Sequence, residues 1–256
     1  MISTNLSAGE GQNDESIADQ LFEQGLQLFR SADFQSAILS YQQALDIYRK
    51  LNASPQVARV LNAIGISYYR LENYSDAVRA YQDAQTVAQT IQDMELQGRI
   101  ANNLGLISKS NREYADALSL YWESLMIFQE LNNLSEQINV VDNIGFVYYQ
   151  IDDYEKAAYC YQYALQLLDT GESKDQEIEI RNLRNLVHVL RKSIQINQKF
   201  SVSSISLQEH SREHEEERSD SFLPPEKIQE IFEEFRNTID VQLGQDQLGD
   251  DHNLGP

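Results

Sequence analysis

The sequence predicts an all-α solenoid of stacked helical hairpins, and three features point there. Glycines fall forty residues apart, at Gly25, Gly65, Gly105 and Gly145. Each is followed in fixed register by an aromatic (Phe34, Tyr74, Tyr114, Tyr154), an alanine (Ala37, Ala77, Ala117, Ala157) and a tyrosine (Tyr41, Tyr81, Tyr121, Tyr161). Apolar residues between these marks recur at i, i+3, i+4 and i+7, the spacing of one helix face. A period of this length is the mark of an array in which each unit covers the apolar face of its neighbour.

Taken in order, residues 1–15 read as disordered and end at a helix cap, Ser16, with Asp19 three residues on. The first unit spans 17–52. Its first helix, Ile17 to Arg30, carries Leu21, Phe22, Leu28 and Phe29; the turn is Ser31-Ala32-Asp33; the second helix carries Ile38, Leu45 and Tyr48 beside the repeat marks. Units two to four cover 56–92, 94–132 and 134–170, with Pro55 suited to a helix start because its missing N–H is an orphan donor there. The glycine and the alanine twelve later fit a close helix crossing within a unit, leaving a groove for the tyrosine. The small residue seven beyond that alanine (Ala44, Ala84, Ser124, Ala164) is expected to serve the next unit. A fifth first helix, 176–198, has the apolar stripe Leu183, Leu186, Val187, Leu190 and Ile194 and no second helix, as a terminal cap would. Beyond it, 201–222 reads as a disordered Ser-rich linker. A short amphipathic helix over 223–243 carries Ile228, Ile231, Phe232, Phe235 and Ile239, and 244–256 reads as a disordered tail.

The chain has 256 residues, with 20 Lys+Arg against 40 Asp+Glu and a formal net charge of −20. That balance argues against nucleic acid and anionic membrane surfaces, since both demand a dense basic face. No apolar run approaches the roughly 18–20 residues that span a bilayer, so no membrane insertion is expected. A single cysteine, Cys160, cannot close an internal disulfide, and its surroundings in sequence suggest a small buried hydrophobe; a cytoplasmic location fits. His210 and His214 have metal-pair spacing but lie in the charged linker, so no metal, no cofactor and no catalytic residue is expected.

The Gly, Ala, Tyr, Ala spacing resembles the tetratricopeptide repeat over Ile17 to Thr170. The usual period of that family is about 34. Six further residues lengthen each unit by about 9 Å of helix, which is similar to the repeats of kinesin light chains, Pins-type scaffolds and bacterial regulators. The resemblance implies a right-handed superhelix with a concave groove, acting as a non-enzymatic scaffold or adaptor for a protein or peptide partner. Two alternatives stand beside it: a switch autoinhibited by the acidic C-terminal helix as an intramolecular ligand, or an assembly factor for a larger complex.

The resemblance also implies which residues face the groove. Three before each glycine stand Phe22, Asn62, Asn102 and Asp142, with Asn182 in the cap; an Asn column either grips a peptide backbone or is a tolerated polar face. Six before the glycine stand Arg59 and Arg99, expected one above the other. They point either to a partner with acidic side chains or to pairing with neighbours such as Asp93 or Glu95. Leu26, Ile66, Leu106 and Phe146 are expected as apolar floor, and Tyr69 and Tyr149 as groove wall or ordinary core. The family's clamp for chaperone C-terminal carboxylates would need Lys or Asn where this chain has Phe22, Leu26 and Ala63, and is not expected here.

Overall fold

A computed structural model describes residues 3–169 and, beyond them, Arg184, Val187, Arg191 and Ser193. Eight α-helices lie among the described residues: α1 (Ser3–Arg30), α2 (Phe34–Lys50), α3 (Ser54–Arg70), α4 (Tyr74–Thr90), α5 (Met94–Ser110), α6 (Tyr114–Glu130), α7 (Leu134–Gln150) and α8 (Tyr154–Asp169). The architecture is an all-α helical repeat. The chain divides into two compact units, residues 1–127 and 128–256. In the first, α1 packs on α2, α2 on α3, α3 on α4 and α5, and α4 on α5; in the second, α7 packs on α8.

The three-residue turns explain why the helices stop where they do. In every turn the middle residue is left-handed without being glycine: Ala32, Asn52, Glu72, Gln92, Arg112, Asn132 and Asp152 have φ between 53° and 65°. That residue lets the next N–H reach back to a carbonyl five residues earlier, as in Asp33 N–H to Leu28 and Asn133 N–H to Phe128, at 3.0 and 2.9 Å. The third turn residue then caps the following helix. Asp33, Asp93, Asn133 and Asp153 each accept from the backbone N–H three residues on, at 3.0–3.2 Å. Ala53 has no such side chain, and there Pro55 stands in the first turn of α3.

Left-handed backbone costs an L-residue about 1–2 kcal/mol, whereas glycine adds about 0.4–1 kcal/mol of unfolded-chain entropy. Ala32→Gly is therefore expected to stabilise the protein by about 0.5–1 kcal/mol, read as a raised urea midpoint at unchanged slope. A lowered midpoint would mean that the turn is not held left-handed in solution.

Two expectations, of residues 3–15 and of Ser16, are corrected. The backbone is helical from Ser3, so residues 3–15 are not the disordered lead-in expected, and Ser16 lies inside α1 rather than capping it. No proline interrupts that stretch, Gly9 and Gly11 cost only about 1 kcal/mol each, and a helix already nucleated by packing extends cheaply. In the third unit the small residue also makes a polar contact inside its own hairpin: Ser124 Oγ donates to the Gly98 carbonyl of α5 at 2.8 Å.

The core repeats with the sequence. Ala37, Ala77, Ala117 and Ala157 are fully buried, as are the tyrosines four residues on. Each tyrosine ring covers the glycine of its own hairpin. A Cβ placed on Gly65 would stand 2.6 Å from Tyr81 Cδ1 and Cε1, and one on Gly105 2.6 Å from Tyr121 Cε1. Gly25 is equally closed by Tyr41, while Gly145 is looser, with Cys160 Cβ at 3.0 Å and Tyr161 Cζ at 3.1 Å. Arg184, Val187, Arg191 and Ser193 are helical and Val187 is buried, but the other residues of the expected cap, including Asn182, and everything expected of 201–256 lie outside the described residues.

Candidate functional site

The first helices of the second and third hairpins are buried on most sides and leave an open stripe. On α3, Val57, Ala58, Val60, Leu61, Ile64, Gly65 and Ser67 are buried. Arg59 is exposed, and Asn62, Ile66 and Tyr69 are half-buried. Residues three and four apart share a helix face, so these side chains form one ridge. The same register leaves Arg99, Asn102, Leu106 and Lys109 open or half-open on α5, and Asp19, Phe22, Leu26 and Phe29 on α1.

Within the first unit these stripes touch. Asn103 Nδ2 on α5 donates to Asn62 Oδ1 on α3 at 3.2 Å, and Tyr69 Oη and Ser110 Oγ lie 3.5 Å apart. The Arg59 guanidinium sits over the Phe22 ring of α1, 5.6 Å from its centroid. Asp19, one turn before Phe22, accepts from Tyr48 Oη at 2.5 Å. Burial pushes the tyrosine hydroxyls beneath the stripe well above their ordinary range: Tyr81 and Tyr121 both rise for that reason, with Tyr69 adding to each.

The expected site residues sort as follows. Arg59 and Asn62 share a face of α3, and Arg99 and Asn102 a face of α5. Arg99 also pairs with Glu95 one turn earlier, Nη2 to Oε1 at 2.7 Å, with the Arg99 side chain 49% exposed. In the second unit, Asp142, Phe146 and Tyr149 lie on the exposed face of α7; Phe146 and Tyr149 are 41% and 45% exposed, and Tyr149 packs edge-on against Tyr154 at 5.6 Å. Asn103 had no place in the expected column. Its only sequence signal was a carboxamide next to Asn102. Cys160 is fully buried, and burial raises its thiol pKa, which leaves a poor nucleophile.

Two family models described as tetratricopeptide repeat match the sequence, at residues 20–90 and 98–135. The chain is a tetratricopeptide repeat protein. Among solved structures, this repeat protein is similar to BtubC (BKLC) from P. vanneervenii, with a TM-score of 0.65 and 19% identity over 86% of this chain and 91% of that one. Aspartyl phosphate phosphatase F from Bacillus subtilis gives a TM-score of 0.63 and 20% identity over 75% of this chain, which spans 51% of that protein. A Podosopora anserina putative kinesin light chain with nearly identical TPR-like repeats gives 0.53 and 12%, covering 71% of this chain and 98% of that one. At such identities the likeness establishes a common fold. No curated protein matches the chain. Tetratricopeptide repeats are as a class protein-interaction scaffolds, and no described helix here is long and apolar enough to cross a membrane.

Proposed function

We propose that the protein is a non-enzymatic scaffold that binds an extended peptide segment of a protein partner along the open stripes of α1, α3 and α5. One observation carries this reading. The Asn103-to-Asn62 hydrogen bond uses one donor and one acceptor, which leaves Asn62 Nδ2 and Asn103 Oδ1 without a partner among the described residues. A free amide donor beside a free amide acceptor complements the C=O and N–H of a peptide unit whatever its side chain. Ile66 and Leu106, half-buried on the same stripes, add apolar contact. Asn102 extends the polar column, and Asp142, Phe146 and Tyr149 give α7 a comparable face in its own unit.

Replacing Asn62 and Asn103 together by Ala should cost roughly tenfold or more in partner affinity, two neutral hydrogen bonds being worth about 0.5–1.5 kcal/mol each. The test is a pull-down from the native cell, quantified by mass spectrometry, with helical circular dichroism as the folding control. Partner recovery equal to that of the parent chain, at unchanged helicity, would remove the stripe from the binding surface.

A further inference from the structure

We infer that Arg59, placed over the Phe22 ring, is a dedicated anchor for a glutamate or aspartate side chain of the bound partner; this rests on the peptide-binding reading above and names the chemistry of one subsite. In a chain of net charge −20, acids to pair with are abundant. Yet Arg59 makes no ion pair among the described residues, and its partner is the Phe22 ring at 5.6 Å. Asp19 points its Oδ1 at Tyr48 instead. Arg99, its counterpart forty residues on, is spoken for by Glu95 at 2.7 Å. The two arginines that share a repeat position are therefore chemically different.

A cation–π contact with an aromatic ring uses none of the guanidinium's N–H donors as hydrogen bonds, so the planar fork remains able to take a carboxylate with two parallel hydrogen bonds. It also removes rotamer freedom before the ligand arrives, so less is lost on binding. Asn62, one turn along α3, presents the open amide described above, so a carboxylate on Arg59 and a backbone carbonyl on Asn62 can belong to neighbouring residues of one peptide. On α3 and α5 four basic residues stand against one acid, and on α1 Asp19, the acid in the same stripe as Phe22, is engaged by the Tyr48 hydroxyl. Phe22 thus stands where an Asn column would continue because it positions Arg59.

The full-length chain is tested on an array of synthetic peptides in which each Glu- or Asp-containing sequence sits beside its Gln or Asn isostere. The parent chain should favour carboxylate members about tenfold or more. Arg59→Gln should erase that preference while retaining the amide members. Phe22→Leu, which keeps the arginine but removes its platform, should weaken the preference several-fold. Retention of no peptide would overturn the peptide-binding reading itself. Peptides retained with indifference to the carboxylate, or with a preference that survives Arg59→Gln, would overturn the anchor alone. A full chain with Glu226, Glu230, Glu233 and Glu234 changed to Gln separates the sources. Unchanged affinity supports a partner carboxylate, whereas several-fold tighter binding assigns the anchor to the chain's own C-terminal segment and overturns the partner as its source.

Discussion

Gly65→Val should destabilise the protein by about 3 kcal/mol or more, enough to lower its thermal midpoint by many degrees. The first atom of any side chain there would lie 2.6 Å from two carbons of the Tyr81 ring, well inside van der Waals contact. The ring has little room to move: Tyr81 is 1% exposed and belongs to the buried core that also holds Val60, Leu61 and Ile64 of α3. The better helix propensity of the new residue offsets less than about 1 kcal/mol of this. The same contacts rank the positions. Gly25, Gly65 and Gly105 should tolerate alanine poorly, and Gly145, whose nearest neighbours are at 3.0–3.1 Å, noticeably better. A double-mutant cycle pairing Gly65→Ala with Tyr81→Leu is the sharper measurement. Recovery of part of the loss is expected, because the smaller side chain vacates the space that the Cβ needs. Strict additivity would show that the ring is not what the glycine accommodates.

The second large effect is alkaline unfolding. The unfolded chain ionises tyrosine near about pH 10, but burial raises the pKa of Tyr81, Tyr121 and Tyr161 well above that. Tyr41 is pushed up to about 12, again by burial, and Tyr48 rises by burial and by its hydrogen bond to Asp19. For a folded pKa above the unfolded value, the associated stability is complete below the unfolded pKa and is lost as pH climbs toward the folded one. Each group contributes about 1.4 kcal/mol per pH unit in that window. Tyr81, Tyr121 and Tyr161 alone would therefore remove about 4 kcal/mol by pH 11, against a typical domain stability of about 5–15 kcal/mol. Helical circular dichroism should collapse cooperatively above pH 10 in step with the rise of phenolate absorbance. Smooth titration of these tyrosines with the helices intact would contradict their burial.

Much of the hairpin architecture was legible because it depends on local chemistry repeated at a fixed period. Gly65, Ala77 and Tyr81 announce a close helix crossing by their sizes alone, whereas Asp33, read from the sequence as a turn residue, also caps α2. The start of α1 was not legible, because the polar residues around Gly9 and Gly11 carry no periodic signal even though nothing in them stops a helix. The polar ridge was legible as far as Arg59, Asn62, Arg99 and Asn102, since position along a helix determines its face. Which of these side chains touch one another was not. Forty residues separate equivalent positions, but the observed contacts, Asn62 with Asn103 and Tyr69 with Ser110, both run at forty-one. Side chains lean along their helix instead of pointing straight across, so the partner of a residue is the neighbour of its counterpart. Arg99 differs from Arg59 for a reason equally invisible to the repeat: Glu95 lies one turn before it, where Pro55 precedes Arg59.

The closure of each glycine by the tyrosine of its own hairpin bears on how such a chain can change length over evolutionary time. The lock is made entirely inside one forty-residue segment, so duplicating or deleting a whole segment leaves every remaining lock shut. Gaining or losing a few residues between a glycine and its tyrosine would slide the ring off its seat. Growth by entire modules is thus tolerated, and growth by fractions is penalised.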